Sequence, residues 1–397
     1  MSARSQPSLA LDILGYAAGL RRSDTAPAIR VPAATGADES QLRHTIESGL
    51  APLLHHAMQT SPGRVPPAWR DALQSVDLTA KVRAENCRKA SIDVIDVCLG
   101  AGVRPTLLKG ISVSHQYYPA PHLRPMGDID ILVPEIDLER VEATLLRNGM
   151  IRQPDRVRPT GSHHGVPLFH PKQHVWIEIH SGLFPKDSDV NRGTLFGPGQ
   201  IAANSVDSTF AGRPVRRLTD ELQLVYIAAS WIRDLSNNEI HPSLVLPLLD
   251  AVYLHKASAN SLDWDRLLES IHDSELAAAS LYLMLTYLSR RGLVACPASL
   301  LSAISSRQRI VGMWELGLID FLLDAYLVGG RPFGRFSGDW TARTALNTAL
   351  QRGSHLGKLF ALPWNIAFPP SVASRFSVGF HARRIARIFR NSGREQN

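Results

Sequence analysis

Two aspartates that stand two residues apart, Asp128 and Asp130, are the side chains of this chain most suited to chemistry. They lie in the run Asp-Ile-Asp-Ile-Leu-Val, which has the composition of a β-strand. Because side chains alternate along a strand, both acids point to one face, and Ile129 and Ile131 point to the other. Neighbouring carboxylates repel each other unless a cation lies between them, and oxygen ligands suit Mg²⁺. The pair therefore indicates a metal site, although an exposed strand end with two solvated acids has the same pattern.

Two flanking segments contain residues that would complete such a site. Upstream, an apolar run ends in Lys109 and Gly110, which suit a phosphate because the first supplies a point charge and the second allows close backbone approach. Downstream, the alternating run Val-Trp-Ile-Glu-Ile-His places Glu178 and His180 on one face of another strand. A third carboxylate beside the aspartate pair would create a two-metal site for displacement at phosphorus. The alternatives are an ordinary strand-end lysine for Lys109 and a packed strand histidine for His180.

Histidines are concentrated in and before this downstream run. They are His163, His164, His170, His174 and His180. A transition-metal site is one interpretation of this density. However, the segment lacks a helical His-x-x-x-His pair accompanied by an acid, which is typical of such sites, and Pro167 and Pro171 favour a loop. We therefore expect His180 to line a cleft beside Glu178, and the sequence leaves the placement of His163 and His164 open.

These segments together resemble the nucleotidyltransferase superfamily of the DNA polymerase β type. Its signature is a helical turn with Gly-Ser or Gly-Gly, an acid-hydrophobic-acid strand and a third acid on a later strand. More closely, the chain is similar to an uncharacterised bacterial nucleotidyltransferase family with Leu-Lys-Gly, an arginine before Asp-Ile-Asp, and a later Glu-hydrophobic-His. The matching positions are 108–110, Arg124, 128–133 and 178–180, and residues 249–251 and 262–264 resemble the helical region that such proteins carry after the core. The chain departs from the superfamily where Ile111 separates Gly110 from Ser112.

The resemblance implies that a nucleoside triphosphate binds with Mg²⁺ or Mn²⁺. It further implies transfer of the nucleoside monophosphate to an acceptor hydroxyl on a small molecule, peptide or protein, with release of pyrophosphate. Catalytic and metal-binding roles then fall on Asp128, Asp130 and Glu178, and phosphate-binding roles on Lys109, Gly110, Ser112 and Arg124. An ion pair with an acid is an equally good interpretation of Arg124.

Two other classes of function stay open. One is a catalytically silent relative that binds a nucleotide in the same cleft and a partner with its helical half. The other is an RNA-directed enzyme that adds nucleotides to a polymer. Residues 375–394 carry six arginines interleaved with apolar residues, which predicts a basic amphipathic helix. Such a helix could lie on RNA, on an acidic membrane or across the cleft, or it could simply dock by its apolar stripe.

The composition of the 397 residues, with 44% hydrophobic and 20% charged residues, is ordinary for a soluble globular protein. The net charge of +7 would suit polyanionic partners. Cys87, Cys98 and Cys296 have no CxxC spacing, so we interpret them as small hydrophobic residues in a reducing cytosol. The sequence shows neither a secretory leader nor an apolar stretch of membrane-spanning length. We expect a cytoplasmic protein.

The order of patterns along the chain predicts an α+β fold, in which a small mixed sheet is flanked by N-terminal helices and a larger C-terminal helical domain. We expect a mobile leader over 1–40, a helical region over 41–102, the catalytic core over 103–215 and the helical domain over 216–397. Helices are predicted at 9–20, 39–58, from 69 or 78 to 99, and at 110–118, 137–148, 219–235, 242–256, 263–271, 274–291, 299–305 and 310–328. Strands are predicted at 105–109 and 128–133, with two or three more over 151–183. Asp137 and Asp263 are expected to cap helices, and 329–340 to form a loop.

Overall fold

The computed structural model describes residues 8–20, 29, 37–60, 67–152, 162–237, 241–329 and 338–367. Helices precede a seven-stranded mixed sheet, and a larger set of helices follows it, which confirms the predicted α+β class. In the described part of the chain, no helix is both long enough and apolar enough to span a membrane. The arginine-rich helix predicted within 375–394 lies outside the described residues.

Four helices precede the sheet in the part of the chain that the structure describes. They are α1 (Leu9–Ala18), α2 (Ala37–Glu47), α3 (Ala51–Thr60) and α4 (Pro67–Gly100). The prediction of one helix over 39–58 is wrong, because Gly49 adopts a φ of +76° and this left-handed conformation ends α2. The predicted helix near the N-terminus is confirmed as α1, and its Ile13 and Leu14 are fully buried in the core.

The described residues contain seven strands, which form a single sheet. They are β1 (Thr106–Leu107), β2 (Asp128–Leu132), β3 (Ile151–Arg152), β4 (Leu168–His170), β5 (Val175–His180), β6 (Ser205–Phe210) and β7 (Arg213–Leu218). Their order is β3-β4-β5-β2-β1-β7-β6. β2 runs parallel to β5 and β1 parallel to β7, whereas the other neighbours are antiparallel. Helices α5 (Lys109–Gln116) and α6 (Leu138–Arg147) follow β1 and β2 as predicted, and the short α7 (Pro198–Ala203) precedes β6.

The hairpin of β6 and β7 is absent from the predicted elements. Its turn consists of Ala211 and Gly212, which both adopt positive φ angles, of 49° and 78°. This geometry is typical of a two-residue hairpin turn, but Ala-Gly is a weaker signal than Asn-Gly. Because β7 pairs with β1 and continues to Leu218, the sheet extends past residue 215, where the predicted core ends.

Eight helices follow the hairpin in the described residues. They are α8 (Asp220–Asn237), α9 (Leu246–Ala257), α10 (Trp264–Ser270), α11 (Glu275–Arg290), α12 (Ala298–Ser305), α13 (Met313–Leu322), α14 (Gly338–Leu350) and α15 (His355–Ala367). A π-helix over Leu323–Val328 continues α13, and short 3-10 turns lie at Pro121–Leu123, Glu135–Asp137, Asp189–Asn191 and Pro242–Val245. The predicted loop over 329–340 is wrong at its end, because α14 begins at Gly338.

The two predicted helix caps differ in outcome. The Asp263 carboxylate accepts a hydrogen bond from the backbone N–H of Arg266 at 2.9 Å, so the cap of α10 is confirmed. Asp137 occupies the N-cap position of α6 as predicted, but its side chain makes no cap hydrogen bond and pairs with Arg140 instead.

Two clusters of buried apolar side chains hold these layers together. One lies between a single face of the sheet and helices α4 and α6, and it contains Ile129, Ile131, Ile177 and Ile179. The other, larger cluster joins the N-terminal helices to the C-terminal helices. The sheet face opposite the isoleucines therefore carries the alternate residues of β2 and β5, which include every acid that the sequence places in the site.

Candidate active site

Parallel pairing of β2 with β5 brings the predicted acids together. Asp130 lies opposite Glu178, Asp128 opposite Trp176 and Leu132 opposite His180. Directly paired residues point to the same side of a sheet, so the acids share one face as the alternation predicts.

Asp130 is the centre of a buried polar cluster on this face. One oxygen of its carboxylate, Oδ1, accepts hydrogen bonds from Lys109 Nζ at 2.8 Å and from His180 Nε2 at 2.7 Å. His180 Nε2 also lies 3.8 Å from Glu178 Oε2. The side chains of Asp130 and His180 are 4% and 1% exposed, whereas Glu178 is 28% and Lys109 is 32% exposed. The cluster is thus buried on the sheet side and accessible to ligand at Lys109 and Glu178.

The backbone at Lys109 is strained. This residue opens α5 directly after β1, and its φ of 44° lies in the left-handed region that disfavours residues other than glycine. The strand before it is held to β2 by a hydrogen bond from Leu108 N–H to the carbonyl of Asp130. Strained residues of this kind cluster at ligand-binding sites, and here the ammonium of the strained residue contacts Asp130.

The cluster carries more acidic than basic side chains. Burial and the negative charge of Asp130 raise the pKa of Asp128 to about 6. Burial acts in the same direction on Asp130, but Lys109 and His180 outweigh it and hold the pKa of Asp130 below its usual range. With Glu178, three carboxylates thus share a face where Lys109 is the contacting ammonium. Such an excess of negative charge favours the binding of a cation.

A divalent metal ion fits the side chains of this cluster. Among the described residues, Asp130, Glu178 and His180 form the one group of at least three potential ligands whose donor atoms lie within 4.8 Å of one another. Burial lowers the pKa of His180, so its imidazole is neutral at neutral pH and able to coordinate a metal. Its Nδ1 atom is buried and has no hydrogen-bond partner among the described residues. Asp128 lies on the same face but outside this group.

Arg124 forms an ion pair with an acid, which is one of the two roles that the sequence allows for it. Its guanidinium donates from Nε and Nη2 to the two oxygens of Asp250 on α9, at 3.2 and 2.9 Å, and it is mostly buried. Asp250 Oδ1 also accepts a hydrogen bond from Tyr118 at 2.6 Å. A side chain at Gly110 would meet Arg124 Nη1 at 3.2 Å, so glycine at this position leaves room for the arginine. The pair joins the segment before β2 to helix α9.

Ser112 is turned into the protein. It is 1% exposed, and its hydroxyl accepts a hydrogen bond from Gln116 Nε2 at 2.6 Å. Contact between this hydroxyl and a phosphate would require both side chains to move. The backbone of Lys109 and Gly110 at the start of α5 therefore lies in a better position for such a contact than Ser112 does.

The five histidines divide into two groups. His163 and His164 lie beside His180, with ring centroids 5.4 and 5.6 Å from its ring. Burial, with a smaller contribution from nearby basic side chains, lowers the pKa of His163 to about 3. His170 instead pairs with Asp93 at 3.0 Å, and His174 packs on Phe169. The histidines do not converge as one metal-binding set.

Two residues near the cluster come from the helical half and carry no sequence signal for the site. Asp250 fixes Arg124, as described above. Tyr226 on α8 interacts electrostatically with Lys109 and Asp130, and its buried hydroxyl has no hydrogen-bond partner among the described residues. The resemblance over 249–251 concerns the helical region as a whole and does not point to a role for Asp250 in the site, and the mostly apolar run around Tyr226 reads as core.

The match to a family agrees with this geometry. The chain belongs to a family described as uncharacterised nucleotidyltransferase, whose model matches residues 38–290, more than half of the chain. The predicted resemblance is thereby confirmed. The chain is also similar to the crystal structure of an antigenic nucleotidyltransferase-like protein from Paracoccidioides brasiliensis, with a TM-score of 0.39 and 13% identity over 55% of this chain and 94% of that one. A search with the sequence of the present chain matched none of the curated proteins.

Proposed function

We propose that this protein transfers a nucleoside monophosphate from a nucleoside triphosphate to an acceptor hydroxyl on a small molecule, peptide or protein. The observation that carries this proposal is the meeting of Asp130, Glu178 and His180 beside Lys109. This arrangement joins a negatively charged group of potential metal ligands to a cation that can reach a phosphate. We also propose that the catalytic core begins near residue 103 and ends with β7 at Leu218, between an N-terminal and a C-terminal helical region.

Different residues of the cluster would contact the triphosphate and the acceptor. Lys109, with the backbone of Gly110, would bind the phosphates, for which its ammonium must leave Asp130. Asp128, Asp130 and Glu178 would orient the reacting groups, with Glu178 on the strand farther from Lys109 and so nearer the acceptor. Arg124 stays with Asp250 and holds the segment before β2 in place.

In the transfer, the acceptor oxygen forms a bond to the α-phosphorus, and the bond from that phosphorus to the bridging oxygen breaks. Pyrophosphate leaves with the electron pair, and the hydroxyl proton passes to Glu178 or to solvent. A divalent cation, Mg²⁺ or Mn²⁺, held by Asp130, Glu178 and His180 with Asp128 beside them, would neutralise the charge on the phosphates and make the acceptor hydroxyl more acidic.

The test is incubation of the purified protein with each of the four α-labelled nucleoside triphosphates and Mg²⁺ or Mn²⁺, alone and with cell extract. We expect label to move to an acceptor, and Asp130→Asn to lower the rate by about 10³-fold or more, because it removes a charge that acts on the reacting groups. Asp137→Asn makes the same substitution on the surface, where its partner is Arg140, and should have no effect. Absence of both transfer and metal-dependent nucleotide binding would instead favour a silent relative.

A further inference from the structure

The imidazole of His180 lies where a third carboxylate would be expected in a magnesium site. The sequence indicates Asp128, Asp130 and Glu178 as the ligands, all of them oxygen donors. The donor atoms that converge are instead those of Asp130, Glu178 and His180, with His180 Nε2 2.7 Å from Asp130 Oδ1 and 3.8 Å from Glu178 Oε2. One nitrogen and two carboxylates therefore make up the group.

His180 has a hydrogen-bond partner among the described residues on only one of its two ring nitrogens. In the cluster, Nε2 donates to Asp130, and Nδ1 is buried without a hydrogen-bond partner among the described residues. A metal ion that takes the Nε2 lone pair requires the tautomer with its proton on Nδ1. The ring then gives up its bond to Asp130, but it loses no hydrogen bond from Nδ1 to any described residue.

Burial of the ligands weighs against a strongly hydrated ion. Asp130 and His180 are almost fully buried, so an ion bound between them loses much of its water shell. Mg²⁺ gives up water reluctantly and prefers oxygen ligands in octahedral geometry. Transition-metal ions bind imidazole well, and their affinity for mixed nitrogen and oxygen ligands exceeds that of Mg²⁺.

We propose that His180 is a direct metal ligand and that the site selects a first-row transition-metal ion over Mg²⁺. This inference rests on the proposed function for its biological meaning, but it concerns the metal site alone. The ion would replace two partners of Asp130 Oδ1, the ammonium of Lys109 and the Nε2 proton of His180. Displaced from Asp130, Lys109 becomes available to a phosphate.

The test uses Mn²⁺ as the probe, with the full-length, metal-free protein and without nucleotide. Pulsed electron paramagnetic resonance detects a nitrogen nucleus bonded to Mn²⁺, and a continuous-wave titration gives the affinity. We expect a coordinated-nitrogen signal in the wild type and in His164→Gln, the matched variant of a neighbouring histidine. His180→Gln should lose the signal and lower the preference for Mn²⁺ over competing Mg²⁺ at least ~10-fold.

Several results would overturn the inference. They are bound Mn²⁺ without a nitrogen signal in the wild type, a signal that survives in His180→Gln, a preference for Mn²⁺ that this variant leaves unchanged, or no Mn²⁺ binding at all. Bound Mn²⁺ without a nitrogen signal in the wild type would overturn the inference even if His180→Gln fails to fold. Nucleotide transfer is measured separately, so a nitrogen signal without transfer would contradict the proposed function alone, and transfer with an all-oxygen Mn²⁺ site would contradict this inference alone.

Discussion

Two clusters in this protein combine the same three kinds of side chain, a carboxylate, a lysine and a histidine, in different ways. Among the C-terminal helices, they meet as Glu315, Lys358 and His355, with contacts of 2.8 and 2.6 Å to Glu315 Oε1. In the sheet, the same types meet as Asp130, Lys109 and His180, with contacts of 2.8 and 2.7 Å. The chemical groups and distances match, so the difference lies in their surroundings.

The Glu315 cluster has a partner for each charged group. The second oxygen of Glu315 accepts the backbone N–H of Gly312 at 3.0 Å, which caps α13. Lys358 donates to Glu315 and to the carbonyls of Ala349 and Ile310. The Asp130 cluster differs, because Asp128 and Glu178 add negative charge, and Nδ1 of His180 has no partner among the described residues. A satisfied buried ion pair is structural, and a surplus of potential ligands with negative charge indicates a cation-binding site.

The largest effect on stability should come from the satisfied cluster. Glu315→Gln leaves the buried ammonium of Lys358 without its counter-charge, so we expect the free energy of unfolding to fall by about 3 kcal/mol. Burial would raise the pKa of Glu315, but Lys358 and His355 outweigh it and lower that pKa. The stabilisation is therefore present at neutral pH and lost as the pH falls through the carboxylate range. Urea denaturation at pH 7 and pH 4 measures it.

Nucleotide transfer by folded Glu315→Gln should match the wild type, because this cluster has no part in the proposed chemistry. The double variant Glu315→Gln/Lys358→Met is the control, since removal of both charges should recover part of the stability. A loss of transfer in the folded single variant would contradict the division between the two clusters.

Arg124→Lys tests whether the helical domain positions the carboxylate strand. Lysine keeps the charge but cannot donate to both oxygens of Asp250, so we expect about 1–2 kcal/mol less stability and about a tenfold lower kcat. The KM for the nucleotide should change little if Arg124 does not contact phosphate. Arg140→Lys is the matched control, because it alters a surface pair with Asp137. A raised KM with unchanged kcat would favour direct phosphate contact by Arg124.

The smallest effect concerns the surplus carboxylate itself. Because the pKa of Asp128 is raised to about 6 in the folded protein, its ionisation lowers stability progressively above about pH 4 and fully above about pH 6. In the metal-free protein, Asp128→Asn should therefore be more stable than the wild type by about 1 kcal/mol at pH 7.5, less than the full shift in pKa implies because Asp128 is partly exposed and solvent screens its charge. The gap should close as the pH falls below about 4, where the aspartate is protonated in both the folded and the unfolded chain. Thermal unfolding in EDTA from pH 4 to 8 measures this difference in stability. An asparagine variant less stable than the wild type at pH 7.5 would contradict an excess of negative charge in the Asp130 cluster.

Predictions from the sequence were most accurate where one local pattern decides the structure. Strands β2 and β5 and the segregation of their isoleucines from their acids follow from alternation, and the structure confirms them. The break at Gly49 and the β6–β7 hairpin were missed, because the sequence around each allows another backbone conformation. Packing against distant elements selects the one observed.

The candidate site shows the same division. Its residue types and the face they share were predictable, whereas their partners were not. Arg124 and Asp250 are 126 positions apart, and the helix that carries Asp250 reads as core. The choice between phosphate and carboxylate as the partner of Arg124 depends on that helix, and the sequence near Arg124 gives no information about it.

The amino-acid sequence by itself determined which chemistry is available. Strand alternation places Asp128 and Asp130 on one face, and the residue types of Glu178 and His180 fix which donor atoms they offer. Only the tertiary structure decided which of those donors meet. Parallel pairing of β2 with β5 sets Glu178 beside Asp130, and burial brings His180 and Lys109 onto the same oxygen. The reason is physical: side-chain direction is a property of the local backbone, whereas convergence and charge balance depend on elements far apart in the chain.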